Sequence, residues 1–95
     1  MSEDITVTRN DEAHRFEAEL DGEVAGFAMF EQRDGVIEFT HTEVDDRFEG
    51  RGVGSALVRR ALDQVRADGL EVVATCAFVK SYIERHEEYA DLLAS

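Results

Sequence analysis

The sequence of 95 residues contains no proline, no tryptophan and a single cysteine, Cys76. One cysteine cannot form an internal disulfide or a cysteine-rich zinc site, which excludes disulfide-stapled and zinc-ribbon folds. No apolar run approaches the roughly 18 residues that a membrane span needs, and the acidic start of the chain lacks the features of a signal peptide. We therefore expect a cytoplasmic protein without a membrane partner, with one domain covering residues 1–95.

Basic residues are also scarce, because 10 Lys and Arg stand against 22 Asp and Glu, which gives a formal net charge of −12. Nucleic acids and anionic membranes bind basic surfaces, so neither is expected as a partner. The basic segment, residues 47–60, is an exception with a local charge of +3, against −15 in the rest of the chain. Its cations are Arg47, Arg51, Arg59 and Arg60. We interpret it as a site for a compact anion, although the ordinary surface arginines of a helix would give the same pattern.

The first half of the chain alternates between apolar and polar residues, as half-buried strands do. Asp21-Gly22 and Asp34-Gly35 are strong hairpin signals between such segments. The pattern predicts an antiparallel meander in which His41 lies in phase with Ile37 and Phe39. The predicted strands are residues 5–9, 14–20, 23–32 and 36–44.

After residue 46 the apolar period changes to that of a helix. The spacing predicts one helix over residues 52–67, a strand over 70–76 that is covered on both faces, and a second amphipathic helix from Phe78 to Leu93. A strand, a helix and a further strand in succession require parallel pairing of the two strands. The fold class is therefore α+β, in the order β-β-β-β-α-β-α, a mostly antiparallel meander with one parallel β-α-β unit.

Three alternating glycines, Gly50, Gly52 and Gly54, lie where the fourth strand gives way to the first helix. Backbone N–H groups in such a turn can point at an anion that also meets the positive end of the helix dipole, so the turn is typical of a pyrophosphate site. The dinucleotide fingerprint fails here because Ala56 and Leu57 occupy the place of its third glycine. The phosphate-binding P-loop also fails, since no Gly-Lys-Ser/Thr follows.

The stretch Arg51-Gly52-Val53-Gly54-Ser55-Ala56-Leu57-Val58, after a meander and before a single helix and a parallel strand, resembles the acetyl-CoA motif of the GNAT acetyltransferase superfamily. The chain is similar over nearly its whole length to the smallest, YjdJ-type members, including the segments 41–44, 69–76 and 78–89. The resemblance implies a compact GNAT-like domain. It also implies acetyl-CoA-dependent N-acetyl transfer to an amine acceptor, either a small amine or a protein lysine.

In that superfamily, pantetheine enters where the strand before the glycine turn splays from the strand after the first helix. The resemblance implies that backbone groups near Val44 meet pantetheine and that N–H groups of residues 51–56 meet the pyrophosphate. Glu49 stands where the family usually has a polar or basic residue. The cofactor-binding residues expected on this basis are Val44, Gly50, Arg51, Gly52, Val53, Gly54, Ser55, Ala56 and Tyr82.

Cys76 and His41 are the expected catalytic residues, and both match residues of the YjdJ-type proteins. Acetyl transfer from a thioester needs a deprotonated nucleophile and a proton source for the leaving thiolate. Cys76 could accept the acetyl group or protonate the departing thiol, whereas His41 could deprotonate Cys76 or the incoming amine. The alternatives are a small buried strand residue and a histidine that bonds a strand end.

Further histidines and tyrosines have weaker expected roles. Tyr82 is also a weaker candidate for a general acid, while His86 and Tyr89 are interpreted as packing residues and His14 has no assigned role. Three histidines spread over different elements do not make a metal site, so none is expected. Two other functions stay open: a non-catalytic module that binds CoA or acyl-CoA, and a small acidic interaction domain. The acceptor and the oligomeric state are not specified by the sequence.

Overall fold

The computed structural model describes residues 5–94, so residues 1–4 and 95 of the predicted domain lie outside the described residues. Four strands are followed by a helix, a short strand and a second helix, and this order confirms the predicted fold class. Short 3-10 helices cover Asp46–Phe48 and Glu87–Leu92. The main elements are β1 (Thr6–Asn10), β2 (Arg15–Leu20), β3 (Glu23–Arg33), β4 (Val36–Val44), α1 (Val53–Ala67), β5 (Glu71–Ala74) and α2 (Ala77–Arg85).

Tight turns connect β2 to β3 and β3 to β4, as the Asp-Gly pairs predict. Asp21 and Gly22 have φ angles of 56° and 79°, and Asp34 and Gly35 have φ angles of 50° and 79°. Positive φ at both central residues matches the right-handed twist of the flanking strands. These two turns fix the register of the three longest strands.

The sheet has the order β1-β2-β3-β4-β5, with antiparallel pairs up to β4 and a parallel pair between β4 and β5. Phe16, Phe30 and Phe39 stand side by side on one face of it, each less than 5% exposed. Both helices pack on this covered face, because α1 contacts all five strands and α2 contacts β4, β5 and α1. The opposite face, here called the open face, has no helix on it within residues 5–94.

A β-bulge in β4 changes which side chains reach each face. Met29 pairs with His41, but the next residue, Phe30, pairs with Phe39, so Thr40 is an extra residue in β4. The inserted residue shifts the alternation by one position. His41 therefore lies on the open face with Met29, and the prediction that it is in phase with Phe39 is wrong.

Two predictions about the second half of the chain also need correction. β5 is an edge strand rather than a strand covered on both faces, since Val72 is fully buried whereas Val73 is 38% exposed. The second helix ends at Arg85, earlier than predicted, because His86 has a non-helical φ of −132° and ψ of 82°. The chain continues as a 3-10 helix, and Leu93 then makes a parallel bridge to Val72.

Candidate active site

A gap opens between β4 and β5, which pair for only four residues. Their last pair is Phe39 with Ala74, and the N–H of Cys76 donates to the carbonyl of Phe39 at 2.9 Å. β4 then continues to Val44, whereas the chain that follows β5 turns away from β4 into α2. Within residues 5–94, no strand pairs with this side of residues 40–44. The β4/β5 gap is thus bounded by the end of β4 and the start of α2.

The thiol of Cys76 lies at this gap, at the N-cap position of α2. The residue is 8% exposed, and its Sγ lies 3.3 Å from Oγ1 of Thr42 on β4. Burial raises the pKa of the Cys76 thiol, but hydrogen bonds together lower it by more, so that its pKa falls below the ordinary value. The thiol donates to the Thr42 hydroxyl oxygen. Once the thiol is ionised, that hydroxyl, the Thr42 N–H and the amides of Phe78 and Val79 donate to the thiolate. A thiol in this environment forms a thiolate more readily than a free cysteine does.

His41 projects from the open face of β4, whereas the thiol of Cys76 contacts Thr42 on the covered side of that strand. The ring of His41 lies 6.2 Å from that of Phe27, and its Nε2 is 3.6 Å from a carboxylate oxygen of Glu43. More than half of the His41 side chain is exposed. Thr42, rather than His41, is the β4 side chain that contacts the thiol. A catalytic role for His41 stays a prediction, and its position limits that role to the open side of the gap.

The first turn of α1 has backbone N–H groups without a hydrogen-bond partner in the described part of the chain. Gly52 is the N-cap residue, and no side chain caps this end. Two of the six predicted amides are already engaged, since the N–H of Arg51 donates to the Phe48 carbonyl and that of Ala56 donates to the Gly52 carbonyl. The amides of residues 52–55 therefore form the part of the turn that fits a pyrophosphate.

The three glycines of the turn have different structural roles. Gly50 and Gly52 have φ angles of 82° and 77°, which side chains disfavour, and the space where a Cβ would lie is empty at both. A Cβ on Gly54 would instead lie 2.5 Å from Cζ of Phe78 on α2. Gly50 and Gly52 thus shape the turn, and Gly54 lets α2 approach α1.

Much of the charge of the basic segment is already paired. Arg47 lies 3.1 Å from Asp45 and 3.3 Å from Glu23, and Arg51 lies 3.5 Å from Asp21. The hydrogen bond from Arg47 lowers the pKa of Asp45. Arg59 and Arg60 on α1 make no ion pair with other residues of 5–94. Glu49 is exposed at the end of the preceding 3-10 helix.

A groove of about 350 Å³ separates α1 from α2 next to the glycine turn. Tyr82, which is 4% exposed, stacks on His86 with ring centroids 3.9 Å apart. Burial raises the pKa of Tyr82, and nearby Arg59 partly opposes this change. The groove joins three predicted cofactor-binding residues of the turn to the two aromatic rings. Its lining residues are Gly52, Ser55, Ala56, Arg59, Tyr82 and His86.

Residues 15–92 match the family model of the GCN5-related N-acetyl-transferases. The chain belongs to this family. The β4/β5 gap, the thiol of Cys76 and the uncapped start of α1 are therefore features of a member of the GCN5-related N-acetyl-transferase family. The expected family, that of the GNAT acetyltransferases, is confirmed.

Individual relatives support the family assignment over different lengths. The Protein NATD1 of Gallus gallus is 33% identical over 51 residues, which are 54% of this chain and 46% of that protein. The human Protein NATD1 is also 33% identical over 51 residues. The chain thus covers less than half of the length of these relatives.

Solved structures of GCN5-related proteins share the fold. A GCN5-like protein from Staphylococcus aureus has a TM-score of 0.71 at 23% identity, covering 95% of this chain and 88% of its own. An N-acetyltransferase from Staphylococcus aureus Mu50 has a TM-score of 0.57 at 28% identity, covering 84% of this chain and 54% of its own. The first structure thus shares the fold over most of the length of both chains.

Three residues that lie at the β4/β5 gap or the groove were not assigned a site role from the sequence. Thr42 contacts the thiol only because the bulge at Thr40 turns it toward the covered face. Arg59 and His86 line the groove, yet the sequence indicated a basic segment for the first and a packing role for the second. The position of Arg59 one turn after Ser55 was the available signal, since residues four apart share a helix face.

Two absences complete the description of residues 5–94. No helix in this range is both long and apolar enough to cross a membrane. The same range contains no cluster of three or more His, Cys, Asp or Glu side chains that could hold a metal ion.

Proposed function

We propose that the chain transfers an acetyl group from acetyl-CoA to a primary amine, with Cys76 as the reacting thiol. One observation carries the proposal: a thiol with a lowered pKa lies at the β4/β5 gap, next to the uncapped start of α1. We further assign the chain to the YjdJ-type members of the family. A reducing compartment such as the cytoplasm suits a reactive thiol of this kind.

The residues around the gap fit the shape and charge of acetyl-CoA. The amides of residues 52–55 would bind the pyrophosphate, and the exposed backbone edge of β4 near Val44 would bind the pantetheine arm. This arrangement directs the thioester toward Cys76. Gly50, Gly52 and Gly54 support it sterically, since a side chain at Gly50 or Gly52 would strain the turn and one at Gly54 would meet Phe78.

In the proposed reaction, the thiolate of Cys76 attacks the thioester carbonyl. A bond forms between Sγ and the acetyl carbon, the bond from that carbon to the CoA sulfur breaks, and the departing CoA thiolate takes a proton from solvent. The neutral amine of the acceptor then attacks the acetyl group on Cys76. The sulfur leaves as a thiolate, and the amine gives up a proton. Hydrogen bonds from Thr42 and the start of α2 stabilise the thiolate before and after transfer.

His41 is proposed to take the proton of the acceptor amine. Its exposed ring lies on the open face, on the other side of β4 from the thiol. An acceptor that approaches the gap across the open face would meet His41 first, whereas CoA would occupy the helix side. His41 would therefore act on the second half-reaction only.

The charge of the open face favours a cationic acceptor. Apolar side chains, among them Phe27, Met29 and Val73, lie between its charged residues. A surface with six glutamates and two arginines attracts amines and basic peptides and repels acidic ones. The acceptor class is thus an amine or a lysine side chain within a basic molecule. The charged residues are Arg15, Glu17, Glu19, Glu31, Arg33, Glu38, Glu43 and Glu71.

Mass spectrometry of the intact protein after incubation with acetyl-CoA tests the covalent step. We expect one added acetyl group, lost in Cys76→Ala, while the thermal stabilisation by acetyl-CoA remains in that variant. His41→Gln should still form the acetylated protein but transfer the group slowly to an amine. Turnover that survives Cys76→Ala would remove Cys76 from catalysis.

A non-catalytic module that binds CoA or acyl-CoA is the second candidate. The observation that favours it is the open face itself, since no element within residues 5–94 encloses an acceptor there. Thermal stabilisation by acetyl-CoA without acetylation of Cys76, amine acetylation or thioester hydrolysis would support this alternative. No stabilisation at all would instead support the acidic interaction domain.

A further inference from the structure

The groove between α1 and α2 contains a basic pair that the proposed chemistry does not use. The pair consists of Arg59 and His86, which lie on opposite walls of the groove with Tyr82 between them. The groove continues directly from the first turn of α1, because Gly52, Ser55 and Ala56 also line it. An anion that binds in the turn would therefore extend toward this pair.

The imidazole of His86 is held in a fixed orientation. Its Nδ1 lies 2.8 Å from the carbonyl oxygen of Tyr82, and because a carbonyl only accepts, Nδ1 is the donor in this bond. The ring also stacks on Tyr82 at an angle of 13°. These contacts use one nitrogen and one face of the ring. Nε2 has no hydrogen-bond partner among residues 5–94. In the imidazolium form of the ring Nε2 also carries an N–H, which can donate to an anionic ligand in the groove.

Arg59 differs from the other arginines of the basic segment near the turn. Arg47 and Arg51 form ion pairs with acidic residues, whereas Arg59 makes none with the described residues. It lies four residues after Ser55, which corresponds to about 6 Å along the helix axis. A guanidinium at this distance from the turn can bind a second phosphate of the same ligand.

The chemistry of coenzyme A supplies such a second phosphate. Its pyrophosphate is attached to a ribose that carries a separate phosphate monoester at the 3′ position. That monoester carries close to two negative charges at neutral pH, whereas each phosphate of the pyrophosphate carries one. We propose that Arg59 and His86 bind this 3′-phosphate and make the chain selective for coenzyme A over its dephosphorylated form. The inference rests on the proposed function, in which the pyrophosphate occupies the first turn of α1.

Acidic groups near the pair limit the ligands that it can bind. Asp63 on α1 and Glu88 after α2 both raise the pKa of Tyr82, so their charges reach the groove. Asp63 already accepts a hydrogen bond from the Tyr89 hydroxyl at 2.7 Å. The attraction of Arg59 and His86 for a dianion in direct contact exceeds the repulsion by these acidic groups. A singly charged ligand is attracted less strongly. We therefore expect discrimination at the phosphate monoester and not general anion binding.

Calorimetric titration of the full chain with acetyl-CoA and with 3′-dephospho-acetyl-CoA tests the inference. We expect wild-type protein to bind acetyl-CoA about tenfold more tightly, as one or two charge-assisted hydrogen bonds would give. Arg59→Gln and His86→Gln should each bring this ratio toward one. Both variants should keep the wild-type affinity for the dephosphorylated ligand, which also reports that they are folded.

Arg60→Gln is the matched control, because Arg60 is an exposed neighbour on α1 that does not line the groove. It should leave the ratio unchanged. Equal wild-type affinity for the two ligands would overturn the inference while the proposed function stands. A change of the ratio in Arg60→Gln as large as that in Arg59→Gln would overturn it as well. Binding of neither ligand would contradict the proposed function itself, and the inference with it.

Discussion

The two faces of the sheet differ in almost every property although they share the same five strands. The covered face carries Phe16, Phe30 and Phe39 under two helices, and these rings are almost completely buried. The open face carries glutamates and partly exposed apolar side chains. Burial of apolar area stabilises the fold, so the covered face holds the structure together. The open face is free to vary, and we propose that it selects the acceptor.

β4 is the element that the two faces share near the gap. Thr42 projects from it to the thiol on the covered side, while His41 and Glu43 project to the open side. The strand thus separates the side on which we propose that the thioester binds from the side on which we propose that the amine binds. The following changes test this separation, beginning with the largest expected effect.

Truncation of an apolar side chain should be costly on the covered side only. Leu57 is fully buried on α1, so Leu57→Ala should lower the free energy of unfolding by about 2–5 kcal/mol. Met29, which is 38% exposed on the open face, should lose less than about 1 kcal/mol in Met29→Ala. Urea denaturation followed by circular dichroism measures both values. Equal losses would contradict the assignment of the core to one face.

The covered side also contains a hydrogen bond that joins α1 to the last 3-10 helix. The Tyr89 hydroxyl donates to Asp63 at 2.7 Å, and Tyr89→Phe should lower the free energy of unfolding at pH 7 by about 2 kcal/mol. Burial and this bond raise the pKa of Tyr89 to about 12, from an ordinary value of 10.0. Because the pKa is higher in the folded state, the contribution is complete below pH 10 and declines as the pH rises toward 12.

Urea denaturation of wild-type protein and Tyr89→Phe at several pH values would measure that trend. The difference in stability between the two proteins should be constant below pH 10 and narrow above it. A difference that grows with rising pH would contradict the direction of the pKa change.

The pKa of the Cys76 thiol should depend on Thr42 and not on Thr40, the extra residue of the bulge. Thr42→Val removes the hydroxyl beside Sγ, and loss of one hydrogen bond to the thiolate should raise the pKa of Cys76. Thr40→Val is the control, since the exposed Thr40 hydroxyl faces the Met29 carbonyl at 3.5 Å. The rate of iodoacetamide alkylation as a function of pH gives both values. An equal change in the two variants would remove the special role of Thr42.

A smaller effect is expected for a charge on the open face near the gap. If a cationic amine approaches there, Glu43→Gln should raise its KM by about twofold to fivefold, as exposed charge pairs are weak. Glu71→Gln is the matched control and should leave KM unchanged, because Glu71 lies at the end of the β4–β5 pairing that is remote from the gap. Steady-state kinetics at low and high salt measure the effect, which should shrink with salt. An unchanged KM in Glu43→Gln would show that the acceptor does not use this face.

Local signals in the sequence predicted the parts of the fold that neighbouring residues determine. The Asp-Gly pairs predicted the two hairpins, and the apolar period of residues 53–65 predicted the bounds of α1 to within one residue. The glycine turn indicated an anion site because its glycines act on their own backbone.

Features that depend on distant partners were not predictable in the same way. The face of His41 depends on how β4 pairs with β3, and no residue near Thr40 signals the extra position. The early end of α2 likewise depends on His86, whose ring bonds the Tyr82 carbonyl and stacks on its ring. The contact between Thr42 and Cys76 joins residues 34 positions apart, which only the parallel register brings together.

The extra residue at Thr40 has a consequence for how such a protein can diverge. Since side chains alternate along a strand, deletion of this single codon would exchange the sides on which residues 41, 42 and 43 project. The imidazole would then point into the layer of helices and the hydroxyl of Thr42 into solvent, with no amino acid replaced. Insertion or deletion of one residue in β4 can therefore move these side chains between the covered face and the open face in one mutational step.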